Sequence, residues 1–221
     1  MRTVIFDLDG TLADTSTDLI ASANACFRGL GHGDVLDPVA DASTAFHGGR
    51  AMLTLGFSRV QPGFSEADVM AQYPLLLAAY GEAIDVHTVL YPGAVAAIEG
   101  LKSKGYAVGI CTNKPEDLAD RLLTRLGVRD LFASMIGAKT VGVSKPDPKP
   151  YLAAVTEAGG VLAQSFLVGD TDTDRKTAGA AGVPCALVTF GPDGEGVREL
   201  APEALLHHYD DLARVTQELI G

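Results

Sequence analysis

The sequence predicts an α/β protein: a doubly wound parallel sheet with a mostly helical module inserted after the first strand. Three observations predict it. Short runs that are apolar on both faces alternate with helical stretches through most of the 221 residues, the pattern of a parallel sheet covered by helices on both sides. The stretch from Asp14 to about Leu90 breaks that rhythm and offers no convincing strand. Four polar clusters each fall at the carboxyl end of an expected strand, the edge where open α/β sheets bind ligands.

The first strand is expected over Val4–Leu8. Leu19, Ala23, Phe27 and Leu30 then recur at helical spacing, with Thr15 to Thr17 as candidate N-caps. Arg50–Phe57 and Glu66–Tyr80 also read as helices, the second kinked or divided at Tyr73-Pro74. The later strands fall at Ala107–Thr112, Met135–Ala138, Phe166–Gly169 and Ala186–Phe190. Between them lie helices over Gly93–Ser103, Pro115–Leu126, Pro148–Ala158 and Asp174–Ala181. Several begin near Pro and end at Gly105, Gly127, Gly159 or Gly182, the usual asymmetry of helix ends. Gly191–Gly196 reads as a surface loop. The expected organisation is a core of residues 1–14 and 91–221 and a cap of residues 15–90, with hinges near Asp14–Ser16 and Leu90–Gly93 that let the cap act as a lid.

Composition narrows the partners. Lys and Arg number 17 against 28 Asp and Glu, a net charge of −11. That excess argues against nucleic acid and anionic membranes. It also means that an anionic substrate needs local positive charge or a metal ion. Cys26, Cys111 and Cys185 form no metal or disulfide pattern and fit reduced thiols in the cytoplasm. The N-terminus enters a strand at once and does not resemble a signal peptide.

The most informative cluster is Asp7-Leu8-Asp9-Gly10-Thr11. Two acids one residue apart at a strand end share one face and crowd a small volume. Carboxylates that close must be neutralised or share a cation, so the site is suited to a metal and to covalent or acid–base chemistry. Thr112-Asn113-Lys114-Pro115 supplies a hydroxyl and an amide at an expected helix start, which serves either to hold a phosphate oxygen or to cap the helix. Ser144-Lys145-Pro146-Asp147-Pro148 puts a lysine in a proline-stiffened loop, and Gly169-Asp170-Thr171-Asp172-Thr173-Asp174 brings more acids after an apolar run.

Together Asp7-Leu8-Asp9-Gly10-Thr11-Leu12, Thr112-Asn113-Lys114, Lys145-Pro146 and Gly169-Asp170 with Asp174 resemble the four ordered motifs of the haloacid dehalogenase superfamily. Tyr91-Pro92-Gly93 and Ala180-Ala181-Gly182-Val183 resemble its phosphoglycolate phosphatase-like branch. The resemblance covers essentially the whole chain. It implies a Rossmann-like core with an α-helical cap inserted after the first strand, and a Mg²⁺-dependent phosphomonoester hydrolase in which Asp7 is the nucleophile and Asp9 the acid and base. The implied metal ligands are the Asp7 carboxylate, the Asp9 backbone carbonyl and Asp170, with Asp174 ordering a metal-bound water and Lys145. Lys145 and Thr112 would steady the phosphoryl oxygens, with Asn113 nearby. Asp172 is an additional acid, expected at the surface or behind the ligands.

For substrate choice the cap offers His47-Gly48-Gly49-Arg50, where Arg50 is a candidate carboxylate clamp or a surface arginine. The expected partner is a small phosphorylated metabolite, 2-phosphoglycolate first, and the chain is expected to be a monomer or homodimer. No lysine occurs from Met1 through Leu101, which removes the cap lysine that related phosphonoacetaldehyde hydrolases use. The acid at position 9 argues for phosphoryl transfer over dehalogenation. A sugar-phosphate phosphatase or mutase and a pyrophosphatase remain open alternatives. A receiver-type signalling domain would place its phosphate-accepting Asp after a middle strand, and a non-catalytic relative would have lost Asp7, Asp9, Lys145 or Asp170.

Overall fold

The structure is a computed structural model and describes residues 1–221. It separates into two units, one of Met1–Ala13 with Leu90–Gly221 and one of Asp14–Val89.

The chain opens with β1 (Thr3–Phe6), in which all four residues are buried. The two-residue strands β2 (Ala13–Asp14) and β3 (Val89–Leu90) lie where the chain passes between the units. Between them run α1 (Ser16–Gly29), α2 (Ala42–Phe46), α3 (Gly49–Val60) and α4 (Glu66–Glu82). This helical unit has its own core. Phe27 meets Phe57 edge to face at 5.3 Å, and a Cβ on Gly56 would lie 2.1 Å from the Phe27 ring, so the close approach of α1 and α3 requires glycine there. Asp18 is buried and accepts hydrogen bonds from the backbone N–H groups of His87 and Thr88 and from the Thr88 hydroxyl, tying the end of the unit to its first helix. Pro74 sits inside α4, which neither ends nor divides there.

The other unit continues with α5 (Ala94–Ser103), β4 (Ala107–Cys111), α6 (Glu116–Arg125), β5 (Ser134–Ile136), α7 (Lys149–Glu157), β6 (Ser165–Gly169), α8 (Asp172–Ala181), β7 (Cys185–Val188), β8 (Ala204–Leu206) and α9 (Leu212–Ile220). Six strands form one sheet in the order β5-β4-β1-β6-β7-β8. Every pairing is parallel; Thr3 is in register with Ala107 on one side and with Ser165 on the other. Ile5, Cys111, Ile136, Leu167 and Leu187 from successive strands pack with Tyr151 and Ala154 of α7 and Ala178 of α8 into one buried cluster. Burial on this scale supplies the main driving force for the sheet. No helix is long and apolar enough to cross a membrane.

The expected strands all form, and most end one or two residues early. Leu8, Thr112, Ala138 and Phe190 lie just past them, where the polar loops begin. Two elements at the C-terminus, β8 and α9, were not expected. β8 is a half-exposed edge strand of three residues, too short for a periodic signal.

Candidate active site

β1 has a neighbour on each side, so the residues that follow it face the carboxyl ends of β4 and β6. Asp7 extends the ladder by donating its backbone N–H to the Val168 carbonyl. Its side chain is held by the Leu8 N–H, which donates to Oδ1 at 2.7 Å. Oδ2 lies 3.0 Å from Lys145 Nζ. Gly10 has φ of 78°, a conformation costly for other residues, and it turns the chain so that Thr11 is buried. The Thr11 hydroxyl donates to Asp170 Oδ1 at 2.7 Å, while its carbonyl accepts from the Tyr209 hydroxyl at 2.7 Å.

Lys145 comes from the loop between β5 and α7. Its Nζ bridges Asp7 and Asp174, 2.6 Å from Asp174 Oδ1. Asn113 holds this loop from the other strand: its amide N–H donates to the Lys145 carbonyl and its Oδ1 accepts from the Lys145 N–H. Asn113 therefore positions the lysine. Thr112 and Asn113 precede α6 and do not cap it, since the N-cap is Pro115. The Thr112 hydroxyl accepts from the Lys114 N–H at 3.2 Å.

Asp174 lies in the first turn of α8, which starts two residues earlier than expected. Thr171 is the N-cap, and Thr171 with Asp174 forms a capping box. Asp174 Oδ2 accepts from the N–H groups of Asp170 and Thr171 and from the Thr171 hydroxyl. With Lys145 on Oδ1, both its oxygens carry protein donors. Gly169 makes room for this: a Cβ there would lie 2.3 Å from Asp174 Cγ. Gly191, in the stretch read as a plain loop, also packs on the site, where a Cβ would lie 2.8 Å from the Gly10 carbonyl and 3.2 Å from Asp170 Cβ. Asp172 is in an exposed ion pair with Lys176.

The electrostatics follow from burial. Asp7, Asp170 and Asp174 can bring carboxylate oxygens within 4.8 Å of one another. Burial pushes the Asp7 carboxyl up to about 6 against the pull of Lys145, with Asp174 and Asp9 adding to the rise. Asp170 is raised well above the ordinary carboxyl value by burial, then by Asp174 and Asp7. Burial alone would lower the Lys145 ammonium, but Asp174 and Asp7 outweigh it and raise it. Three buried acids thus share one lysine. Asp170 Oδ2 is buried and has no hydrogen-bond partner, an arrangement that is costly unless something else occupies the lone pairs. An all-oxygen donor set with surplus negative charge fits a hard divalent cation such as Mg²⁺.

Asp9 is next to this cluster in sequence but engages a different lysine. Lys114 Nζ is 2.7 Å from Asp9 Oδ1. Lys114 was not singled out from the sequence, where its side chain carries no signal beyond the motif around it. Arg50 belongs to the helical unit, on the first turn of α3, with its guanidinium 5.5 Å from the Tyr73 ring centre.

The chain is similar to known proteins over most of its length. Residues 4–188 match the model of the haloacid dehalogenase-like hydrolases. The chain belongs to that family. Within the haloacid dehalogenase-like hydrolases it falls in the phosphoglycolate phosphatase-like branch. A phosphoglycolate phosphatase of Mesorhizobium japonicum is 35% identical over 209 residues, covering 95% of this chain and 92% of that protein. One of Agrobacterium fabrum is 35% identical over 218 residues, covering 97% and 91%. A crystal structure described as a predicted phosphoglycolate phosphatase from Haemophilus somnus superposes with a TM-score of 0.85 at 24% identity and covers 98% of both chains, a likeness of fold.

Proposed function

We propose that this phosphatase hydrolyses a small phosphomonoester, 2-phosphoglycolate, through an aspartyl-phosphate on Asp7 with Mg²⁺ as cofactor. One observation carries the reading: Lys145 bridges Asp7 and Asp174 while Asp170 keeps a buried oxygen with no hydrogen-bond partner. That arrangement sets Asp7 beside the ammonium that would steady a phosphoryl group and leaves Asp170 an oxygen for a cation. The identity to proteins named phosphoglycolate phosphatase supports the substrate. The buried, unpaired cysteines are consistent with a reducing cytoplasm.

The residues divide the work. Asp7, hydrogen-bonded through one oxygen to Leu8, attacks phosphorus in line with the leaving alcohol. An Asp7 Oδ–P bond forms and the P–O bond to the glycolate breaks. Asp9 gives its proton to the departing oxygen. In the second half Asp9 takes a proton from water, the water oxygen attacks phosphorus, and inorganic phosphate leaves with Asp7 regenerated. Lys145 and Thr112 steady the phosphoryl oxygens, Asn113 keeps Lys145 in place, and Asp174 anchors its ammonium. The Asp7 carboxylate, the Asp9 carbonyl and Asp170 would hold Mg²⁺, whose charge offsets the repulsion between the acids and the phosphate dianion. Asp174, with both oxygens engaged, acts through Lys145.

The test is turnover of a panel of 2-phosphoglycolate, sugar phosphates, nucleotides and pyrophosphate by wild type and Asp7→Asn. The expected result is the highest kcat/KM on 2-phosphoglycolate and a loss of at least about 1,000-fold in Asp7→Asn. Near-normal activity in Asp7→Asn, or undiminished turnover after thorough chelation, would overturn the mechanism.

A further inference from the structure

We propose that Lys114 recognises the carboxylate of the substrate. The inference rests on the phosphoglycolate reading above and assigns the residue that reads the non-reacting end. Lys114 has a side chain only 4% exposed, and its Nζ sits 2.7 Å from Asp9 Oδ1. The backbone on both sides of that side chain is fixed. The Lys114 N–H donates to the Thr112 hydroxyl, and its carbonyl accepts from the Ala138 N–H at 2.8 Å. A lysine held this way gives up much rotamer freedom and hydration, which a purely solubilising charge would not do.

The two buried lysines occupy different ends of the reaction. Lys145 spans Asp7 and Asp174 beside the attacking carboxylate. Lys114 is on Asp9, the group assigned to the leaving oxygen. In 2-phosphoglycolate that oxygen and the carboxylate are separated by a single methylene. With Asp9 hydrogen-bonded to the ester oxygen, about 2.8 Å away, an ammonium bound to Asp9 lies within one further hydrogen bond of the carboxylate. A lysine ammonium is a compact point charge, which a substrate carboxylate would draw to itself beside Asp9. A substrate ending in a neutral group would leave that positive charge poorly matched, and a site built for a charged partner discriminates strongly against its absence. The same ammonium also offsets part of the negative charge that a substrate with both a phosphate and a carboxylate brings to an acidic protein.

The experiment compares kcat/KM for 2-phosphoglycolate with that for 2-hydroxyethyl phosphate, in which CH₂OH replaces the carboxylate. Wild type, Lys114→Met, Lys114→Gln and Lys114→Arg are measured, with thermal melts to confirm folding. Lys114→Met is expected to lower the ratio of the two kcat/KM values by about 10- to 100-fold, and Lys114→Arg to lower it less. Any loss from a displaced Asp9 slows both substrates and cancels in the ratio. Lys114→Gln carries the same expectation should the Met variant fail to fold. A wild type that prefers 2-phosphoglycolate beside neutral variants that prefer it equally overturns this inference alone. A wild type without that preference overturns the substrate reading, and this inference with it.

Discussion

Thr11 and Asp170 are joined by a 2.7 Å hydrogen bond, hydroxyl to carboxylate, between two fully buried side chains far apart in the chain. The bond uses one oxygen of Asp170 and leaves the other for a cation. Tyr209 donates to the carbonyl of Thr11, so a third distant segment steadies the pair.

Thr11→Val keeps the shape of residue 11 and removes only the donor. We expect a loss of about 1–3 kcal/mol in stability, because Asp170 Oδ1 is left buried without a partner. We also expect about 10- to 100-fold weaker Mg²⁺ activation, the usual effect of removing a group that orients a ligand. Urea unfolding measures the first and a Mg²⁺ titration of activity the second. Unchanged activation would show that Asp170 needs no help from Thr11.

Lys145→Met removes the one cation shared by Asp7 and Asp174. Breaking a buried pair by deleting one partner costs about 3–5 kcal/mol. The melting temperature should fall accordingly at pH 8, and less at pH 5, where the raised Asp7 carboxyl takes up a proton. Equal losses at both pH values would contradict that account.

Gly169→Ala tests the packing behind the lysine. The new methyl would overlap Asp174, and overpacking a dense interior typically costs about 1–3 kcal/mol. Because Asp174 both caps α8 and holds Lys145, displacement should lower turnover as well as stability. Gly182→Ala is the control for chain flexibility: no atom lies within 4 Å of a Cβ there, although its φ of 71° makes it a strained control for stability. Turnover per folded molecule should therefore separate the two variants.

Asp7 gives the pH prediction. Its carboxyl is raised to about 6 in the folded protein, chiefly by burial. The folded state therefore binds a proton more readily than the unfolded one. The contribution of this group to stability is fully present below the ordinary carboxyl range and is lost as pH rises through about 6. A cation and that proton compete for the same oxygens. The rise in melting temperature caused by millimolar MgCl₂ should accordingly be largest at pH 7–8 and shrink below pH 6. A rise that grows on acidification would exclude Asp7 from the cation site.

Much of the site was readable because its residues sit where apolar runs stop. Val4–Phe6, Val108–Cys111 and Phe166–Val168 are buried on both faces, and a run of that kind has an end that locates the next polar residue. The capping box at Thr171 and Asp174 was also legible in principle, as Thr followed three residues later by an acid; attention to the acids alone put the helix start too late. The pairing of Asp9 with Lys114 was not legible, since a side chain's direction depends on how two crossovers meet. Gly191 was missed for a related reason. A glycine is informative only when the atom that would collide with its Cβ is known, and here that atom is the carbonyl of Gly10.

The place of β1 between β4 and β6 also bears on how the protein is made. β1 precedes both of its partners in the chain and can be flanked on both sides only after residues beyond 160 have followed it. Until then the nascent chain carries an apolar segment with an unpaired edge, the kind of surface that invites association with other chains. Cutting the chain before β6 should therefore do more than shorten the molecule: it strands β1 without a companion on that side.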